Sequence, residues 1–217
     1  MNHTTVIMAF IASVTVVEGI GAQTPVSRAG RRSVMPRDSE IVLARSAAPA
    51  SVSAKARVLV FVDSGFIEGE AGSNGVTCIV NRSWPTSLEP HCFDNEAAET
   101  ILPIELARTM MYHRGRTEAD ADREIADGLA SGRFRLPRRP AMSYMMSDGQ
   151  ILVDDDGKKV GRWRPHIMIY YPYLKNADVG FNSTPDMKVG MVSESGRATS
   201  NLMIVMPQFI AVTLKNP

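Results

Sequence analysis

Residues 57–82, RVLVFVDSGFIEGEAGSNGVTCIVNR, decide the fold. The run over 57–63 is apolar and rich in Val, and alternate residues over 76–80 share one face, as in β-strands. The sequences at 63–65 (DSG) and 73–75 (SNG) favour turns, and Asn-Gly is typical of a tight hairpin. We therefore predict a three-stranded antiparallel meander with an Asn-Gly hairpin at its second corner.

Helices and further strands are predicted on both sides of this region. A short helix is expected over residues 39–48, with Asp38 or Ser39 as its cap. Two more helices are expected, one opened by Pro103 and one capped by Thr117. Because helices and strands do not alternate regularly, we predict an α+β fold: a mainly antiparallel sheet with two or three helices packed on one side. The other predicted strands cover 142–146, 150–153, 166–171, 203–205 and 209–214.

The amino-terminal residues predict export. Residues 6–17, VIMAFIASVTVV, form a run of about 12 apolar residues, too short to span a bilayer but typical of a secretory signal. Small residues follow it, so we predict a signal peptide over residues 1–22. An Arg-rich stretch over 23–38 is interpreted as a flexible linker, and residues 39–217 as a single globular α+β domain. The expected location is secreted or periplasmic.

Composition and charge limit the classes of partner. The chain has 217 residues, of which 44% are hydrophobic and 22% charged, with a formal net charge of +1. Binding to nucleic acid depends on neutralising phosphates, and this balanced charge indicates no basic face for it. We therefore predict no nucleic-acid partner and no stable membrane insertion after signal cleavage. The expected partner is an unknown small molecule or protein.

The two cysteines, Cys78 and Cys92, indicate a disulfide. In an oxidising compartment a pair of cysteines is most simply bonded. The bond would close a loop of about 15 residues and contribute about 3 kcal/mol by the chain-entropy argument. We expect it to join a predicted strand, which contains Cys78, to the proline-flanked loop that follows.

No spacing of reactive residues matches a catalytic or metal-binding motif, so the sequence predicts no catalytic residue, metal or cofactor. Residues 163–173, WRPHIMIYYPY, bring an indole, a guanidinium, an imidazole and phenols together at the start of an apolar strand. Binding pockets are mostly apolar with a few convergent polar groups, so this segment is the best candidate for a ligand site. The candidate ligand-binding residues are Trp163, Arg164, His166 and Tyr144.

Two functions remain open at this point. The first is a non-catalytic binding or accessory module. The second is a secreted or periplasmic hydrolase of unrecognised type, in which His166 or His91 acts as a base oriented by Asp94 or Asp148. A buried His166 that bonds only to backbone would count against the hydrolase.

Overall fold

A computed structural model describes residues 28–153, 158–181 and 190–212. The predicted signal peptide lies outside the described residues, as does the 23–27 part of the predicted linker. None of the helices in the described ranges is both long and apolar enough to cross a bilayer. The helices are α1 (Arg37–Arg45), α2 (Ala50–Ser53), α3 (Asn95–His113) and α4 (Glu118–Ala130). The strands are β1 (Arg57–Val62), β2 (Gly65–Glu70), β3 (Thr77–Asn81), β4 (Glu89–Phe93), β5 (Ala141–Met145), β6 (Leu152–Val153), β7 (Lys159–Gly161), β8 (His166–Tyr170), β9 (Gly190–Ser193) and β10 (Asn201–Val205).

The main sheet has eight strands in the order β2-β1-β3-β4-β5-β8-β10-β9, and β6 and β7 form a separate hairpin. All pairs in the main sheet are antiparallel except β1 with β3. The predicted α+β class with a mainly antiparallel sheet is therefore confirmed.

The predicted meander over residues 57–82 needs correction. Strands β1 and β2 form the expected antiparallel hairpin, but β3 pairs with β1, in parallel, instead of with β2. Asn74-Gly75 consequently lies in a crossover between β2 and β3. The crossover runs against the start of β1, where the backbone N–H of Arg57 donates to the carbonyl of Val76 at 2.9 Å. A Cβ on Gly72 would overlap the backbone of Ala56 and Arg57, so this close approach requires glycine.

Helices cover both faces of the sheet, which corrects the prediction of helices on one side. We call the face that carries Cys78, Val80 and Cys92 the disulfide face; it packs against α1. The opposite face carries Ile79, His91 and Phe93 and is here called the histidine face; its apolar part packs against α3. Strands β1 and β3 are buried on both faces, which explains their continuous apolar sequence.

The sequence predicted the start of one helix correctly and the starts of two others incorrectly. Helix α4 begins after Thr117 as predicted, in a capping box with Asp120. Helix α3 begins at Asn95, well before Pro103, because the Asp94 side chain accepts a hydrogen bond from the backbone N–H of Ala97. For α1 the cap is Pro36, with no side-chain hydrogen bond, instead of Asp38 or Ser39.

The described part of the predicted linker packs on the domain. Arg32 is buried, and its guanidinium donates to the carbonyls of Gly30, Arg82 and Ser83. Its backbone N–H donates to Nδ1 of His113 at 3.0 Å. These contacts hold the segment before α1 against the end of α3, so it is not a solvated tether there.

The disulfide between Cys78 and Cys92 is confirmed. Both residues are fully buried and lie opposite each other on β3 and β4, so the bond joins two strands and not a strand and a loop. Nearby, a fully buried ion pair joins Arg82 to Glu40 at 2.9 Å. The Glu40 carboxylate also accepts from the backbone N–H of Phe61 at 3.0 Å, which ties α1 to β1.

Candidate functional site

A polar cavity of about 200 Å³ lies between the histidine face and helix α3. Strands β3, β4, β5, β8, β9 and β10 and both α3 and α4 contribute to it. Its apolar lining is limited to Met145 and Met168. The other lining residues are Arg28, Asn81, Ser83, Glu89, His91, Glu105, Arg108, Glu118, Tyr170, Ser193, Glu194, Thr199 and Asn201.

A chain of side-chain hydrogen bonds crosses three strands under this cavity. Nε2 of His91 on β4 lies 2.8 Å from Oγ of Ser143 on β5, which lies 3.1 Å from the hydroxyl of Tyr170 on β8. The strand register places these side chains on the same face, since Ser143 is opposite Phe93 on one side and Met168 on the other. All three residues are buried, so the chain fixes the floor of the cavity.

Helix α3 supplies the opposite wall through Glu105 and Arg108, which are three residues apart on one side of the helix. The Glu105 carboxylate accepts from Nδ2 of Asn81 at 3.2 Å, and Oδ1 of Asn81 accepts from the hydroxyl of Thr109 at 2.8 Å. Asn81 therefore connects the end of β3 to the helix at two points.

Arg108 joins α3 to α4 and to the turn after β9. It donates to Asp122 at 3.2 Å and lies 3.9 Å from the carboxylate of Glu194. The same carboxylate accepts from the hydroxyl of Thr199. Glu194 adopts a φ of 51°, a left-handed conformation that is unfavourable for a residue with a side chain. Strained residues of this kind are common at functional sites, and here the strain lies in the cavity wall.

Four carboxylates and two guanidiniums line the polar cavity, so its described residues carry a formal excess of two negative charges. Three buried polar atoms of this lining find no hydrogen-bond partner in the described ranges: Nδ1 of His91, Nε of Arg108 and Oδ1 of Asn201. Buried polar atoms nearly always have a partner in native proteins. These three atoms therefore call for polar partners from water or from a ligand in the cavity.

Burial changes the acid–base behaviour of the lining. Desolvation raises the pKa of the Glu105 carboxyl, and the positive charge of Arg108 offsets part of this rise. Desolvation, with a smaller contribution from the nearby His166, lowers the pKa of His91 to about 3, so the imidazole is neutral near pH 7. Burial alone would lower the pKa of Arg108, but Glu105 and Glu194 outweigh it and raise the pKa. Arg108 is therefore always charged.

A second cavity, which we call the tryptophan groove, adjoins the polar cavity and measures about 590 Å³. Arg28, Ser83 and Glu89 line both cavities, so the two cavities adjoin and share a wall. The groove is bounded by Trp84 and Trp163 and by apolar residues of the β6–β7 hairpin. The residues that line only the groove are Trp84, Leu152, Val153, Val160, Arg162 and Trp163.

The four residues selected from the sequence do not converge. Trp163 lines the tryptophan groove, and Arg164 beside it is exposed. His166 is buried on the histidine face, whereas Tyr144 packs with the core cluster on the disulfide face. The segment over 163–173 therefore contributes Trp163, Met168 and Tyr170 to the two cavities but does not form a site alone.

The groups proposed for a hydrolase have other partners. His166 is buried. Among the described residues its ring makes one hydrogen bond, between Nδ1 and the carbonyl oxygen of Arg164 at 2.7 Å. Asp148 accepts from the backbone N–H of Val212, and Asp94 from those of Ala97 and Met142. His91 contacts Ser143, but Ser143 is fully buried and Nδ1 of His91 faces no described carboxylate acceptor. These observations disfavour the hydrolase.

A third hollow, of about 370 Å³, lies at the surface between residues 137–140 and 169–172. Of its lining residues, only Tyr170 also belongs to the polar cavity. The described residues contain no cluster of three or more His, Cys, Asp or Glu side chains placed to hold a metal ion.

Comparisons with protein-family models, with curated proteins and with solved structures find no match for this chain.

Proposed function

We propose that this chain is an exported, non-catalytic binding protein whose polar cavity holds the ammonium group of a small organic amine. The observation that carries the proposal is the excess of carboxylates in a cavity where a buried acceptor, Oδ1 of Asn201, has no partner among the described residues. Export is supported by the leader-like sequence at residues 1–22 and by the disulfide, which is typical of oxidising compartments.

An ammonium group matches the cavity better than an anion. Its three N–H donors suit the carboxylates of Glu105 and Glu194 and the unpaired Oδ1 of Asn201. An anion would face four carboxylates and lose its hydration with only two guanidiniums in compensation, one of which, Arg108, already pairs with Asp122.

Binding is favoured over hydrolysis because the site lacks an activated nucleophile. The one serine–histidine contact involves a fully buried Ser143 and an imidazole with a pKa of about 3. A general base works best when its pKa is near the operating pH, so His91 is a poor base at neutral pH. Its hydrogen bond to Ser143 instead holds the cavity floor in place.

Three probes of similar size test the charge preference: n-butylamine, 1-butanol and butyrate, each titrated calorimetrically into the purified protein. We expect n-butylamine to bind and the other two to bind at least about tenfold more weakly. Glu105→Gln is expected to weaken n-butylamine about tenfold by removing one carboxylate. The matched control is Glu68→Gln, which changes an exposed carboxylate on β2, paired with Arg57 and absent from the lining of the polar cavity. Equal binding of butyrate, or an equal loss in the control, would contradict the proposal.

Binding of an amine is also expected to depend on pH. Burial raises the pKa of Glu105, and a bound cation favours its charged form and lowers that pKa again. The cation therefore displaces a proton, and its affinity rises as the pH rises through the range in which Glu105 titrates. Calorimetry in two buffers of different ionisation enthalpy measures the displaced proton. Glu105→Gln is expected to abolish it.

A further inference from the structure

The tryptophan groove offers a concave surface, lined by two indoles and three aliphatic side chains, beside the polar cavity. Trp163 is 44% exposed and Val160 is 56% exposed, although both line a concave surface. Exposed apolar side chains that converge in this way mark binding sites more often than isolated ones do. Trp84, in contrast, is buried and forms a rigid wall of the groove.

The side chains of the groove are held by contacts around them. Arg162 donates to the carbonyl of Asp148 at 3.0 Å, and its guanidinium lies 4.8 Å from the ring centroid of Phe209. These contacts fix the backbone next to Trp163. The guanidinium of Arg28 lies 5.1 Å from the ring centroid of Trp84, at the junction of groove and cavity. The indole of Trp84 therefore already accommodates a cation at this junction.

We infer that the ligand is an aryl-alkyl amine, with its ammonium group in the polar cavity and its aromatic ring in the tryptophan groove. This inference rests on the proposed function and adds the class of ligand. Glu89 and Ser83 line both cavities, so a ligand with one end in each would lie against these two side chains. An aromatic ring in the groove would pack against an indole and remove apolar surface from water, which strengthens binding.

The test compares phenethylamine with n-butylamine and with phenylacetate, by calorimetry and by intrinsic fluorescence. The chain has only two tryptophans, Trp84 and Trp163, and both line the groove, so fluorescence reports directly on it. Phenethylamine is expected to bind at least about tenfold more tightly than n-butylamine and to change the tryptophan emission. Phenylacetate is expected to bind at least about tenfold more weakly than phenethylamine.

Two variants test the contribution of the tryptophan groove to binding, and a third serves as the control. Trp163→Ala is expected to weaken phenethylamine binding at least about tenfold more than it weakens n-butylamine binding. The control is Tyr171→Ala, which removes another exposed aromatic side chain outside both cavities and is expected to change neither affinity. Trp84→Phe provides a second groove variant that keeps an aromatic ring in the buried wall; it is expected to reduce the fluorescence response but not abolish binding.

The possible failures are distinguishable. If phenethylamine and n-butylamine bind equally and Trp163→Ala changes neither, the inference about the aromatic ring is overturned and the amine-binding function stands. If neither amine binds, both proposals are overturned. If phenylacetate binds as tightly as phenethylamine, the ammonium group is not recognised and both proposals are again overturned.

Discussion

Acid is expected to destabilise this protein through His91. The buried imidazole has a pKa of about 3, against 6.5 for the free side chain. Below pH 6.5 the unfolded chain binds a proton at this position that the folded protein does not bind, so stability is lost as the pH falls. Each pH unit in this range costs about 1.4 kcal/mol per proton, so moving from about pH 7 to about pH 4.5 costs about 2 to 3 kcal/mol for His91 alone.

Urea denaturation at about pH 7 and about pH 4.5 measures this loss for the wild type and for His91→Gln. The variant lacks the titrating group. Between the two pH values its free energy of unfolding is therefore expected to fall by about 2 to 3 kcal/mol less than that of the wild type. His91→Asn serves as a second variant in case glutamine does not fit. If the wild type and a folded variant lose the same free energy, His91 is not held neutral by burial and this reasoning is refuted.

Three further predictions concern the framework around the site. Replacing Cys78 and Cys92 together by Ala is expected to reduce the free energy of unfolding by about 2 to 4 kcal/mol, measured by urea denaturation against the wild type. Glu40→Leu leaves Arg82 charged and buried without its partner, and is expected to reduce the free energy of unfolding by about 3 to 5 kcal/mol. Adding Arg82→Met is expected to restore much of this stability. A double variant that is less stable than the single one would contradict this prediction. Gly72→Ala is expected to lower the melting temperature because a Cβ would overlap the start of β1, and an unchanged melting temperature would contradict the close approach of the crossover.

Most strands of the main sheet, but not β4 and β9, could be located from the sequence, and their order in the sheet could not. The Val-rich runs of β1 and β3 and the turn at Asp63-Ser64-Gly65 were sufficient to predict the hairpin β1–β2. Asn74-Gly75 fits a hairpin and a crossover equally well, and the choice of partner for β3 depends on packing against α1 and α3, which are distant in sequence.

Cys92 was expected in a loop because Pro90 precedes it, and proline is rare in central strands. The structure accommodates Pro90 because β4 pairs with β3 along its length, whereas β5 pairs only with Cys92 and Phe93 at its end. The side of Pro90 that lacks an N–H therefore has no β5 residue to bond. Such local divergence of two strands is not visible in the sequence.

The polar cavity could not be predicted because its residues are far apart in the chain. Glu105 and Arg108 resemble an ordinary solvated ion pair on a helix, and only the fold shows that they face the sheet. Glu194 and Asn201 lie in or beside a long polar stretch, residues 174–200, in which no strand was predicted but which contains β9. Of the residues selected from the sequence as ligand-binding, Trp163 alone lines the site.

The predicted strand at residues 209–214 is absent from the described part of that segment, where Ile210 makes only an isolated bridge to Ser147. The backbone of this segment is instead tied down locally, because Val212 donates to the carboxylate of Asp148. The apolar composition of this segment therefore predicted an extended backbone but could not predict whether that backbone pairs with another strand.

The most direct test of the account is a crystal structure of the protein soaked with 4-bromophenethylamine, with anomalous data collected at the bromine edge. We predict a bromine peak in contact with the indole of Trp163 or Trp84, and density for the ammonium group among Glu89, Glu105 and Glu194. A bromine peak outside both cavities, with the compound absent from the polar cavity, would contradict the account.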